Sequence, residues 1–154
     1  MIDIYTDGGC SGNPGPGGSA LVIIKNDENV YERMFSFPYT TNNFCELYAV
    51  MMGIRYVIDN NILECQIFSD SKYVTEGINQ WMNKWMEKCW KGSNGHQIKN
   101  VDLWHDVHVL WHRATTKSNI SIHHVKGHAD NKWNNYTDKL AVKAVKMNDD
   151  YRKE

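Results

Sequence analysis

The order of apolar runs along this chain leaves it few architectures. Ile2 to Asp7, residues 19–25 and residues 30–37 read as three short strands, the last two joined by the polar turn Asn26-Asp27-Glu28-Asn29. Helix and strand patterns then alternate. Thr41-Asn42-Asn43 offers caps for a long helix to about Asp59, whose stripe of Leu47, Val50, Ile54, Val57 and Ile58 has helical spacing. Residues 63–69 form a fourth strand. Ser71 caps a short helix to about Ile78, and a second short helix runs from Trp81 to about Lys88. After a loop at 92–95, Asn100 caps a helix carrying Val101, Trp104, Val107 and Trp111; a fifth strand follows at 120–125 and a closing helix from Asn134 to about Met147. A three-strand antiparallel meander followed by alternating helix and strand predicts an α/β fold: a five-stranded mixed sheet, with two parallel strands beside the meander, flanked by helices.

The length of 154 residues suits one domain with one sizeable core. We expect it to span 1–148, with 149–154 a frayed tail. No apolar run approaches a membrane span, and the chain enters its first strand without a basic and apolar leader. Cys10, Cys45, Cys65 and Cys89 are far apart with no CxxC pair, which argues against a zinc module and fits reduced thiols. Together these predict a cytoplasmic protein without membrane partners, expected to be monomeric. The net charge of −1 supplies no global attraction to nucleic acid. Locally the balance differs: between Trp81 and Asn100 stand Lys84, Lys88, Lys91 and Lys99 against Glu87 alone, interleaved with Trp81, Trp85 and Trp90. Lysine with tryptophan suits a phosphate backbone and flat base surfaces, although a solvated helix with core-facing tryptophans fits the pattern equally.

Four carboxylates stand at element boundaries. Asp7 closes the first strand where the chain turns into a glycine-proline loop, and Asp70 ends the strand ECQIFSD. Glu46 opens the first long helix on the side of its buried stripe, with positions 50, 53 and 57 beside it; Asp138 repeats this, with Ala141 and Val145 at i+3 and i+7. An unpaired carboxylate beside a core costs several kcal/mol or takes up a proton, whereas a hard divalent cation with oxygen ligands removes the difficulty. Taken singly, each acid also fits a capping or helix-dipole role. Four in one small fold favour a shared metal site. No nucleophile elbow appears, and the loop at 12–18 lacks the lysine of a phosphate-binding GxxxxGK[ST] loop. His128, in the glycine-flanked VKGHAD, has the placement of a mobile proton carrier, and of an ordinary surface histidine. His105, His108 and His112 share one side of a helix; a core-edge stripe with Trp104 and Trp111 accounts for them better than a transition-metal site does.

These residues resemble type 1 ribonuclease H over nearly the whole chain. The segments are TDGGCSGNPGPGG, TTNNFCEL, SDSKYV, the tryptophan-lysine segment, KNVDLW, VKGHAD and TDKLA, and their order and spacing are jointly specific. The resemblance implies the ribonuclease H-like fold, and an endonuclease hydrolysing the RNA strand of RNA–DNA hybrids. It implies two Mg²⁺ ions, with Mn²⁺ able to substitute, held by Asp7, Glu46, Asp70 and Asp138. Asp7 would bridge the two, about 4 Å apart, giving 5′-phosphate and 3′-hydroxyl ends, with His128 moving protons or product. RNA contacts map onto the Cys10 backbone, Asn13, Asn42 and Asn43. The DNA strand maps onto Trp81, Lys84, Trp85, Lys88 and Lys91, with a phosphate near Thr41 and Asn100. Tyr39 stands where the family often has an arginine, Asn135 where a glutamate is common, and Glu87 makes the lysine segment less basic than in many members; these departures bear on affinity rather than chemistry. A resolvase or integrase core of the same fold would lack the asparagine-rich RNA contacts and the tryptophan-lysine segment.

Overall fold

A computed structural model describes residues 1–126 and 130–152, with side chains as far as 148. Its one sheet has the order β3-β2-β1-β4-β5. The strands β1 (Ile2–Cys10), β2 (Gly15–Lys25) and β3 (Glu28–Thr40) form an antiparallel meander; β4 (Glu64–Ser69) and β5 (Asn119–His124) run parallel to β1. The helices are α1 (Asn42–Asp59), α2 (Lys72–Glu76), α3 (Met82–Glu87), α4 (Val101–Lys117) and α5 (Lys132–Arg152). The backbone of α5 thus carries the stretch expected to fray from 149 as far as Arg152.

Alternation along β1 divides the core into two layers, because successive side chains point to opposite faces of a strand. Ile4 joins Leu21, Ile23 and Ile67 under the apolar stripe of α1, with Trp104 of α4 fully buried behind it. Tyr5 joins Ala20, Val22 and Ile24 under Leu140 and Ala141 of α5. The sheet is covered on both faces, which is why β2 is buried almost throughout.

Two glycines decide how closely the layers meet. A Cβ on Gly8 would lie 2.4 Å from the Cys45 backbone carbon and 2.5 Å from the Glu46 nitrogen, so only glycine lets α1 settle this close to β1. On the other face a Cβ on Gly18 would lie 2.6 Å from Ala144 Cβ and 2.7 Å from the Val145 nitrogen. Each contact has its tether on β2: the buried Ser19 hydroxyl donates to the Cys45 carbonyl (2.6 Å), and the Asn148 side-chain amide donates to the Gly17 carbonyl (3.0 Å).

Between α2 and α3 the chain makes a π-helical turn over Gly77–Trp81. The wider turn keeps Ile78 and Met82 in the core and leaves Trp81 44 % exposed.

Three expectations need correction. Asp7 does not end its strand: β1 continues to Cys10, with Gly8 opposite Ser19 and Gly9 opposite Gly18. What ends near Asp7 is the parallel pairing to β4, whose last matched pair is Tyr5 and Phe68, so the acid still sits where the sheet opens. Glu46 lies one turn inside α1; the N-cap is Thr41, whose hydroxyl accepts from the Phe44 N–H at 3.3 Å. Asn100 does not cap α4 with its side chain. It adopts a left-handed backbone (φ 58°), and its amide donates to the Tyr73 hydroxyl (3.3 Å), which also accepts from Trp104 Nε1 (2.8 Å).

Candidate active site

Asp7, Glu46 and Asp70 converge. One carboxylate oxygen from each lies within 4.8 Å of the others, although they come from β1, the second turn of α1 and the residue after β4. Asp138, in the early turns of α5, is close enough to hydrogen-bond Asp7 and to repel it. Among the described residues this is the one grouping of three or more metal-ligating side chains. His105, His108 and His112 do not converge: His105 and His108 meet the ring of Trp90 edge-on at 5.8 and 5.6 Å, so their alignment serves packing. His128 lies outside the described residues.

Such crowding is costly without a counter-charge. Asp7 is only 5 % exposed, and its pKa is pushed up to about 8, first by burial and then by the charge of Asp70. The Glu46 carboxyl is held well above its usual range, again by burial first and then by Asp7 and Asp70. The Gly8 N–H donates to Asp7 Oδ1 at 2.9 Å, which stabilises the ionised form but does not offset the rest. Glu46 Oε2 is buried and has no hydrogen-bond partner among the described residues. An orphaned carboxylate oxygen facing two further carboxylates is a donor set for a hard cation, and divalent Mg²⁺ or Mn²⁺ fits it.

A groove of about 430 Å³ leads from Asp7 and Asp138 past Gly9, Cys10 and Ser11 to Asn42, with Lys146 on its wall. Its rim is built from the asparagine-rich segments. The Asn13 side-chain carbonyl accepts from the Asn42 backbone N–H at 3.0 Å, tying the β1–β2 loop to the start of α1. The Cys10 thiol donates to the carbonyls of Gly15 (3.3 Å) and Thr40 (3.2 Å). All four cysteines are free. Asn43 is exposed beside this rim, as is Tyr39.

The tryptophans of the lysine segment fall into two settings. Trp85 packs edge-on against Trp104 (ring centroids 5.1 Å) and Trp90 against the α4 histidines, so both serve to dock the segment onto α4. Trp81 faces outward with Lys84 Nζ 5.2 Å from its ring centroid, and Lys84, Lys88 and Lys91 are exposed. The sequence pattern contained both alternatives; Trp85 and Trp90 pack inward, and Trp81 is exposed.

The RNase H family model matches residues 1–146. The chain belongs to the type 1 ribonuclease H family. It is accordingly a ribonuclease H hydrolase, similar to a ribonuclease H of Rhodopirellula baltica at 42% identity over 152 residues, which cover 95% of this chain and 91% of the relative. LC9-RNase H1, a type 1 RNase H with the type 2 active-site motif, superposes with a TM-score of 0.79 at 27% identity, over 96% of this chain and 72% of that one. LC11-RNase H1, solved in complex with an RNA/DNA hybrid, shares the fold at a TM-score of 0.71 and 22% identity, over 96% and 98% of the two chains. No helix among the described residues is long and apolar enough to cross a membrane.

Proposed function

We propose that this chain hydrolyses the RNA strand of RNA–DNA hybrids through two Mg²⁺ ions held by Asp7, Glu46, Asp70 and Asp138, leaving 5′-phosphate and 3′-hydroxyl ends. The observation that carries the reading is the convergence of three carboxylates around the unpartnered, buried Glu46 Oε2. When bound, the ions would offset the negative charge a phosphodiester gains in its transition state and lower the pKa of an attacking water. The chain's own groups do the rest. Asp7, central in the cluster, balances the two halves of the acid set. The amides of Asn13, Asn42 and Asn43, with the Cys10 backbone, are suited to the 2′-hydroxyl, which both donates and accepts and is the group that separates RNA from DNA. Thr41 and Asn100 border a DNA phosphate, and His128 carries a proton.

Labelled RNA–DNA hybrid, duplex DNA and duplex RNA, each with and without Mg²⁺, test the reading. The expected result is cleavage confined to the RNA strand of the hybrid and dependent on the ion. Equal cleavage of duplex DNA, or full activity in a chelator, would overturn it.

The exposed lysines should govern affinity and leave the chemistry alone. Changing Lys84, Lys88 and Lys91 together to Gln removes up to three phosphate contacts, each contributing about 0.9 or less to the slope of log affinity against log salt. We expect a raised KM and a flatter salt dependence at nearly unchanged kcat, read from kinetics across a salt series. An unchanged slope would place the DNA strand elsewhere.

A further inference from the structure

We infer that His124 is a positioning residue for the acid cluster: its ring holds the backbone carbonyl of Asp70 and thereby fixes the direction from which that carboxylate approaches Asp7 and Glu46. The observation is a bond between His124 Nε2 and the Asp70 carbonyl oxygen at 3.1 Å. A carbonyl can only accept, so Nε2 carries the proton in this contact.

Its place in the sheet gives the bond its weight. The ladder between β4 and β5 runs in register from Glu64 opposite Asn119 to Ser69 opposite His124. One further backbone bond, from the Val125 N–H to the Ser69 carbonyl (2.9 Å), closes it. The Asp70 carbonyl lies just beyond the last paired residue of β4, and the His124 side chain reaches it. The turn is held from its other side as well, since Ser69 Oγ accepts from the Ser71 N–H (3.1 Å) and Ser71 Oγ accepts from the Val74 N–H at the start of α2 (3.2 Å). Peptide planes on both sides of Asp70 are therefore fixed, and with them the Cα–Cβ direction of its side chain. Asp70 needs this more than its neighbours do. Asp7 lies within β1 and Glu46 within α1, whereas Asp70 belongs to a turn between β4 and α2. His124 itself is exposed and is not among the clustered acids, so it acts through Asp70 rather than on substrate or metal.

This inference rests on the nuclease reading for its activity arm alone. The test compares His124→Ala and His124→Gln with the unaltered protein, using Mn²⁺ titration by calorimetry, the Mg²⁺ dependence of hybrid cleavage, KM for hybrid, and Tm. Groups that orient metal ligands typically contribute tenfold or more. For His124→Ala we expect about a tenfold loss of Mn²⁺ affinity, a matching rise in the Mg²⁺ needed for half-maximal rate, KM within about twofold and Tm little changed. His124→Gln, whose amide also donates, should recover most of the loss. Unchanged Mn²⁺ affinity in His124→Ala would overturn the inference, as would equal losses in both variants, or a raised KM with the metal dependence unmoved. Should the unaltered protein fail to cut hybrid, the nuclease reading falls, while the Mn²⁺ titration still decides the role of His124.

Discussion

Asp7→Asn is expected to lower the rate of hybrid cleavage by at least about 10³-fold while hybrid binding stays near its original strength. The substitution removes one charge from the centre of the acid cluster and leaves the groove, the asparagines and the exposed lysines in place. Gel-shift binding beside single-turnover kinetics separates the two effects; a near-normal rate with Mg²⁺ would sink the two-metal reading. The same variant should be more stable than its parent in the absence of metal. The Asp7 pKa stands at about 8 in the folded chain against an ordinary 3.8. As pH rises from 4 towards 8, the unfolded chain therefore gives up this proton before the folded one does. Stability present in full below pH 4 is lost progressively and is gone above about pH 8. Asparagine does not ionise and avoids that loss. Partly relieved burial of charge amounts to about 2 kcal/mol, or about 4–8 °C in Tm for a domain of this size. Melting in chelator at pH 4 and pH 9 checks it: the two proteins should differ little at the lower pH and separate at the higher.

Gly8→Ala should be strongly destabilising for a single added methyl. The added carbon meets the backbone of Cys45 and Glu46 at 2.4 to 2.6 Å, and backbone, unlike a side-chain tip, cannot rotate away. The helix must lift from the sheet, at a cost of about 3 kcal/mol and roughly 6–12 °C in Tm. Because Glu46 is the residue displaced, activity should fall in the fraction that remains folded. Gly9→Ala is the control, since nothing lies within 4 Å of its added carbon. A Tm for Gly8→Ala within a degree or two of the parent would show that α1 does not depend on this contact.

The same glycines mark where local reading of the chain stops. The meander and the alternation after it were legible, because apolar spacing and caps are local signals, and three of the acids singled out, Asp7, Glu46 and Asp70, do converge; the Thr41 and Ser71 caps are found as expected. Gly8, Gly9 and the glycines at 15, 17 and 18 read as loop, yet all lie in β1 or β2. Gly8 and Gly18 are there because α1 and α5 press on the strands from opposite sides, and a close approach between distant segments leaves no periodic trace. The π turn is hidden for a similar reason: one extra residue in a helical turn is set by what the flanking residues must reach, here the core positions of Ile78 and Met82. Asn100 does stand at the N-cap position of α4, but its left-handed backbone turns its side chain to Tyr73 rather than to the helix N–H groups, a choice that residue type alone does not reveal. His124 carried no sequence signal, since its partner is a main-chain atom.

The scattering of the acids along the chain has a consequence for how the protein is born. Asp7 lies near the amino end and Asp138 in the last helix, and the contact between Gly18 and Ala144 that brings α5 down onto the sheet joins equally distant stretches. A ribosome makes Asp138 long after Asp7. Until then a growing chain holds three carboxylates without the fourth and without the layer that buries Tyr5 and Ala20. The acid set therefore cannot be complete on a growing chain before α5 has emerged and settled against β2, whatever has formed before it.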